Sequence, residues 1–190
     1  MVALLRSVNV GGRNRVPMAE LRAMVESLGM RSVQSYVQSG NLVFDASSSP
    51  AKAAEAIEEG ISATFGLEVP VIVRTSGQVA GILRAHPFAL PGVDPRTVHV
   101  TFLAGPPEAD RAEALARTAA EAREDGAFGD DRFEMAGTDI FLHCPGGYGE
   151  TKLNNGFFER RTGVVATSRN WRTVTTLAAM AGLDVAEPGA

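Results

Sequence analysis

The sequence predicts an α+β protein built from two consecutive β-α-β-β-α-β halves, each with an antiparallel sheet. Three observations predict it. The order strand, helix, hairpin, helix, strand is traced once within residues 1–75 and again within residues 97–182. A half of that size is large enough to bury a core of its own. Apolar residues also change from unbroken runs to helical spacing wherever glycine or proline interrupts them.

Val2 to Val10 is β-branched and leucine-rich and stops at Gly11-Gly12, which predicts a buried strand and a tight loop. Pro17 suits the start of a helix, and Met18, Leu21, Val25 and Leu28 recur at helical spacing up to Gly29. Ser32 to Gln38 and Leu42 to Phe44 are strand-like runs turned through Ser39-Gly40-Asn41. Pro50 opens a second helix with Ala54, Ile57, Ile61 and Phe65 on one face, closed by Gly66 before the strand Glu68 to Arg74.

Residues 76–96 read as a linker with a short helix (Val79, Ile82, Leu83) and a Pro91-Gly92 loop. The order then repeats. It gives a strand from Thr97 to Leu103, an alanine-rich helix from Pro107 to about Ala122, and a hairpin of Arg132 to Met135 with Asp139 to His143. A glycine-rich loop, Pro145 to Gly149, leads to a helix carrying Leu153 and Phe157 and a strand near Val164 to Thr167. A last helix puts Trp171, Val174, Leu177 and Ala181 on one face, and residues 183–190 form a tail.

Composition narrows the classes. Of 190 residues, 45% are hydrophobic and 21% charged, which is ordinary for a globular chain. No stretch approaches the roughly 18 apolar residues of a membrane span, and the first residues read as a strand instead of a leader. The single cysteine, Cys144, cannot form an internal disulfide, so the expected compartment is the cytoplasm. A net charge of −4 conceals a segregation: basic residues without acids in 1–16 and a basic excess in 151–173 flank an acidic 106–150.

The topology brings loops together. In the first half, the loop after strand one (11–16) and the hairpin turn (39–41) share one edge of the sheet; in the second, Lys152 and the end of the last strand (168–170) share another. Gly11-Gly12-Arg13-Asn14-Arg15, between strand and helix, offers backbone N–H groups and arginines to an anion. It lacks the phosphate-loop and dinucleotide patterns, and the competing reading is a turn that needs glycine. Arg6 places a charge in an apolar strand, where it needs a partner or an open face. In Ser168-Arg169-Asn170-Trp171-Arg172, Asn170 reads as a helix cap and Trp171 as core, and Arg169 stays open to a ligand. His86, His99, His143 and Cys144 have no metal-ligand spacing, and no nucleophile with a base can be assembled, so neither a metal nor a cofactor is expected.

Leu5-Arg6-Ser7-Val8-Asn9-Val10-Gly11-Gly12, Gln38-Ser39-Gly40-Asn41 and Thr167-Ser168-Arg169-Asn170-Trp171 carry a resemblance. On them the chain resembles the bacterial domain of unknown function 1697 family, nearly end to end. The resemblance implies tandem ferredoxin-like folds and no established activity. Arg6, Asn9, Gly11, Gly12, Asn14, Gln38, Asn41, Lys152, Arg169, Asn170 and Trp171 match family-type positions.

Three functions are carried forward. The first is binding of a small anionic, nucleotide- or phosphate-like ligand where the polar edges of the two halves meet, by those matched residues and Arg13. The second is nucleic-acid binding on a sheet face, opposed by the missing aromatic platform and the negative charge. The third is a structural or interaction role, as monomer or homodimer, in which the motifs only hold turns in place.

Overall fold

The computed structural model describes residues 1–12 and 14–185. Arg13 and residues 186–190, part of the expected tail, lie outside the described residues. Two four-stranded antiparallel sheets and six helices make up the regular structure among the described residues. The chain divides into two compact units, Met1–Gly81 with Thr176–Asp184, and Ile82–Thr175.

The first unit runs β1 (Val2–Leu5), α1 (Met18–Ser27), β2 (Arg31–Ser35), β3 (Asn41–Asp45), α2 (Pro50–Phe65) and β4 (Val71–Arg74). Its sheet has the order β2-β3-β1-β4, so the hairpin strand β3 separates β2 from β1. Strand β1 stops at Leu5, well short of the Val2 to Val10 expected, because Ser7 takes φ 56° and Asn9 φ 54° and turns the chain out of the sheet. One sheet face, carrying Ala3, Leu5, Leu42, Phe44, Val71 and Val73, packs with Leu21 and Val25 of α1 and Ile57 and Ile61 of α2. These fully apolar contacts supply the unit's main driving force, at about 25 cal/mol per Å² of apolar surface removed from water. Helix α2 shows both expected end signals: Ser49 Oγ accepts from Lys52 N, Pro50 takes the first turn, and Gly66 at φ 65° ends it.

After α3 (Ser76–Ala85), the second unit runs β5 (Val98–Leu103), α4 (Ala109–Asp125), β6 (Arg132–Ala136), β7 (Asp139–His143), α5 (Asn155–Thr162) and β8 (Ala166–Asn170), and α6 (Trp171–Met180) begins at once. Its sheet repeats the order as β6-β7-β5-β8. Strand β8 lies later than the expected Val164 to Thr167 because Gly163, at φ 74°, must first turn the chain out of α5. Leu153, expected in that helix, precedes it, since Asn154 is the cap that accepts from Phe157 N. The core on the helix side gathers Leu103, Leu115, Ile140, Leu142, Cys144 and Ala166 around edge-to-face contacts among Phe133, Phe157 and Phe158.

Candidate functional site

The loop after β1 meets the hairpin turn of the first unit, the second unit gathers polar side chains around Ser168, and the two clusters are built differently. In the first unit the loop after β1 closes on itself and on the hairpin turn through Asn9. Its Nδ2 donates to Val16 O (2.9 Å) and to Gln38 O (2.7 Å), and its Oδ1 accepts from Val16 N (2.9 Å). Asn14 Nδ2 donates to Ser7 O (3.1 Å), and Asn9 N donates to Asn14 O (3.1 Å). Asparagine suits both places because it tolerates the left-handed backbone that Asn9 and Asn14 adopt.

Gly11 and Gly12, at φ 59° and 75°, form the exposed tip of this loop. Asn41 is wholly buried and donates from Nδ2 to Tyr36 O (3.1 Å) and Ser39 Oγ (3.0 Å). Gly40 beside it has no room for a side chain: a Cβ would stand 2.4 Å from Val8 Cγ2 and 2.6 Å from Leu5 Cβ. Arg6, just beyond β1, is half-buried and donates from Nη1 to Ser7 Oγ (2.9 Å).

Beneath this loop lies a groove of about 450 Å³ lined by Asn9, Arg15, Val16, Arg22, Gln38 and the start of α1. Pro17 gives α1 no side-chain cap, and the first intrahelical bond runs from Leu21 N to Pro17 O. The N–H groups of Met18, Ala19 and Glu20 therefore have no intrahelical acceptor. Arg15 is exposed, while Arg22 Nη1 is steadied by Ser35 Oγ at 2.6 Å. Arg22 was not among the residues read from the sequence; its signal is a basic side chain four residues after Met18, hence on the same side of the helix.

The second unit's edge turns on one hydroxyl. Ser168 pairs with Thr101 across β5 and β8, and paired residues share a sheet face. Ser168 Oγ donates to Asn155 Oδ1 (2.7 Å), accepts from Tyr148 Oη (2.8 Å) and meets Thr101 Oγ1 at 2.5 Å. With one proton to give, Ser168 must accept from Thr101, so every member of this network has a partner. Tyr148 stacks on His99 with centroids 4.7 Å apart. Burial pushes the Tyr148 phenol above its usual pKa and pulls His99 below its own, the Thr97 backbone opposing the latter without a hydrogen bond to His99 Nδ1. The Pro145–Gly149 loop gave the only sequence signal for Tyr148, its one aromatic residue.

Arg169 lies on the opposite sheet face from Ser168 and donates from Nη1 to Thr167 Oγ1 and Ser168 O, both at 2.8 Å. The residue as a whole is half-buried, yet desolvation of its guanidinium draws its pKa down to about 10, Tyr148 acting the other way. Asn170 caps α6 by accepting from Thr173 N (2.8 Å), and Trp171 is buried with its ring 4.7 Å from that of His86. Lys152 is exposed. Cys144, held by burial at a pKa of about 11, is an unreactive thiol at neutral pH. Among the described residues no cluster of histidine, cysteine and carboxylate side chains fits a metal ion, and no helix is long and apolar enough to cross a membrane.

Fold and site together define a two-unit α+β protein with a hydrogen-bonded polar loop cluster in each unit. The profile of the family described as "Protein of unknown function (DUF1697)" matches residues 1–141, and the chain belongs to that family. No curated protein matches the chain. Among solved structures it is similar to the conserved bacterial protein SP0830 from Streptococcus pneumoniae, with 23% identity, 95% of this chain and 97% of that one covered, and a TM-score of 0.71. That likeness concerns the fold.

Proposed function

We propose that this chain is a cytoplasmic binding protein for a small anionic, phosphate- or nucleotide-like ligand, seated in the groove of the first unit. One observation carries the reading: Arg15 and Arg22 flank a groove floored by the uncapped first turn of a ten-residue helix. Guanidinium groups and free main-chain N–H groups are the partners a phosphate or carboxylate needs. Glu20 is the one acid in that turn. We read each unit as ferredoxin-like on the strength of its strand order. The test is thermal shift of the full chain with inorganic phosphate, sulfate and a nucleotide panel. Stabilisation that Arg15→Ala and Arg22→Ala each weaken is expected; equal stabilisation of the double variant and the parent would sink the reading.

A second reading, that the motifs serve the fold alone, is favoured for particular residues. Asn9, Asn41, Asn170 and Trp171 have their polar groups or rings committed inside the protein. They support the edges and leave ligand contact to Arg15, Arg22 and Gln38.

A further inference from the structure

Strand β6 ends its sheet, and an ion pair of Arg123 and Glu134 lies beside it. Phe133 belongs to the helix-side core together with Leu115 of α4, so α4 covers the face to which Phe133 points. Successive residues of a strand point to opposite faces, which puts Glu134 on the far face. Arg123 belongs to α4, yet its Nη2 donates to Glu134 Oε1 at 2.5 Å. Strand β7 closes the inner side of β6, so a contact that joins the two faces has to cross the open edge. We propose that the pair of Arg123 and Glu134 is a strap over the edge of β6, and that this edge, once unstrapped, pairs antiparallel with β6 of a second copy of the chain.

Among the described residues β6 is the edge that needs such a guard. A sheet edge offers a row of main-chain N–H and C=O groups to any other strand, and proteins blunt it with bulges, cover or charge. Strand β2, the matching edge of the first unit, is broken by a register shift between Arg31 and Gln34, where Ser32 takes φ 54°. Strand β4 is buried along its whole length. The first two residues of β8 are buried, and it runs straight into α6. Strand β6 has none of these protections: it keeps register with β7 at all five residues from Arg132 to Ala136, and only Phe133 is buried. It has instead the strap, whose two side chains are 47% and 44% exposed.

The residues of the edge select the partner. In antiparallel pairing about a two-fold axis normal to the sheet, directly opposed residues share a face, and the helix layers of both copies lie on one side. With Phe133 opposite itself, Arg132 of each copy faces Glu134 of the other, which gives two opposite-charge pairs. Sliding to the register with Glu134 opposite itself sets carboxylate against carboxylate, which is destabilising. In the single chain Glu134 is held by Arg123, and Arg132 Nη1 is turned back onto Gly129 O and Asp131 O at 2.6 and 2.8 Å. The strap therefore withholds both the edge and the acid that a second copy would use.

Light scattering of the full chain after gel filtration, over a series of concentrations, tests this. Arg123→Ala is expected to form dimers at concentrations where the parent is monomeric, with association at least about tenfold tighter. Adding Arg132→Glu to Arg123→Ala sets glutamate against Glu134 of the second copy and should restore the monomer. Hydrogen exchange should show β6 amides gaining protection in the dimer. Association of Arg123→Ala no tighter than that of the parent overturns the proposal. So do dimers that survive Arg132→Glu or leave β6 unprotected, since they form through another surface. Should Arg123→Ala fail to fold, Arg123→Gln, which keeps a polar side chain without the charge, carries the same readings.

Discussion

The polar edges of the two units occupy loops of sheets with the same strand order, yet they are held by opposite means. The first is stitched by side-chain amides onto backbone in the left-handed region: Ser7, Asn9, Gly11, Gly12, Asn14, Val37 and Gly40 all have positive φ. The second keeps ordinary backbone through β8 and into α6 and joins its elements through hydroxyls meeting at Ser168. A left-handed loop fixes main-chain atoms and depends on a few irreplaceable residues. A hydroxyl hub fixes side chains and loses its members one at a time. Val37, a β-branched residue at φ 50° and 50% exposed, shows how far the first unit bends its backbone to close the edge.

The comparison can be broken most severely at Gly40. An alanine there meets Val8 and Leu5 at sub-contact distance and must also hold φ 71°, so Gly40→Ala is expected to cost about 3 to 4 kcal/mol in denaturant unfolding, combining overpacking with left-handed strain. Next comes acid on the second unit. His86 has a pKa lowered in the folded state, so the unfolded chain binds the proton more readily. Stability is full above about pH 6.5 and falls until about pH 4, by about 3 kcal/mol at 1.36 kcal/mol per unit. Urea titrations of the parent and His86→Phe at pH 7 and pH 4.5 should diverge, the parent losing more at the lower pH.

Asn9→Ala should follow at about 2 kcal/mol, since Val16 N–H and two carbonyls lose their partner together. Ser168→Ala is expected to cost less, about 1 kcal/mol, because Tyr148 is half-buried and its hydroxyl can turn to water. If Ser168→Ala proves as damaging as Asn9→Ala by the same unfolding measurement, the contrast between the edges fails. Smallest is Arg15→Ala: the side chain is exposed, so unfolding should change by no more than about 0.5 kcal/mol, while any phosphate-induced thermal shift is reduced.

Element order was readable because glycine and proline punctuate this chain clearly. Pro17, Gly29, Pro50 and Gly66 mark the helices of the first unit to within a residue or two. Strand lengths were less readable. Val8 and Val10 extend the apolar run of β1, but Val8 enters the core from a loop and Val10 is 61% exposed, so hydrophobicity could not locate the turn that left-handed Ser7 makes. Of the residues read as candidates, Asn170 and Trp171 take the cap and core roles that spacing suggested. Arg22, Tyr148, Thr101 and the hydroxyl partners of Ser168 escaped because their roles arise from neighbours distant in sequence, which a single chain of letters does not pair.

Asn155 and Gly156 open α5, and this dipeptide is the one most prone to chemical ageing, through attack of the glycine amide nitrogen on the asparagine side chain to form a cyclic imide. Here the asparagine Oδ1 is engaged by Ser168, and the helical backbone turns the following nitrogen away from it. The hydrogen bond that anchors the second unit's edge thus also sets its shelf life. Mass spectrometry of aged protein should find this position intact while the chain is folded and deamidated once it is unfolded.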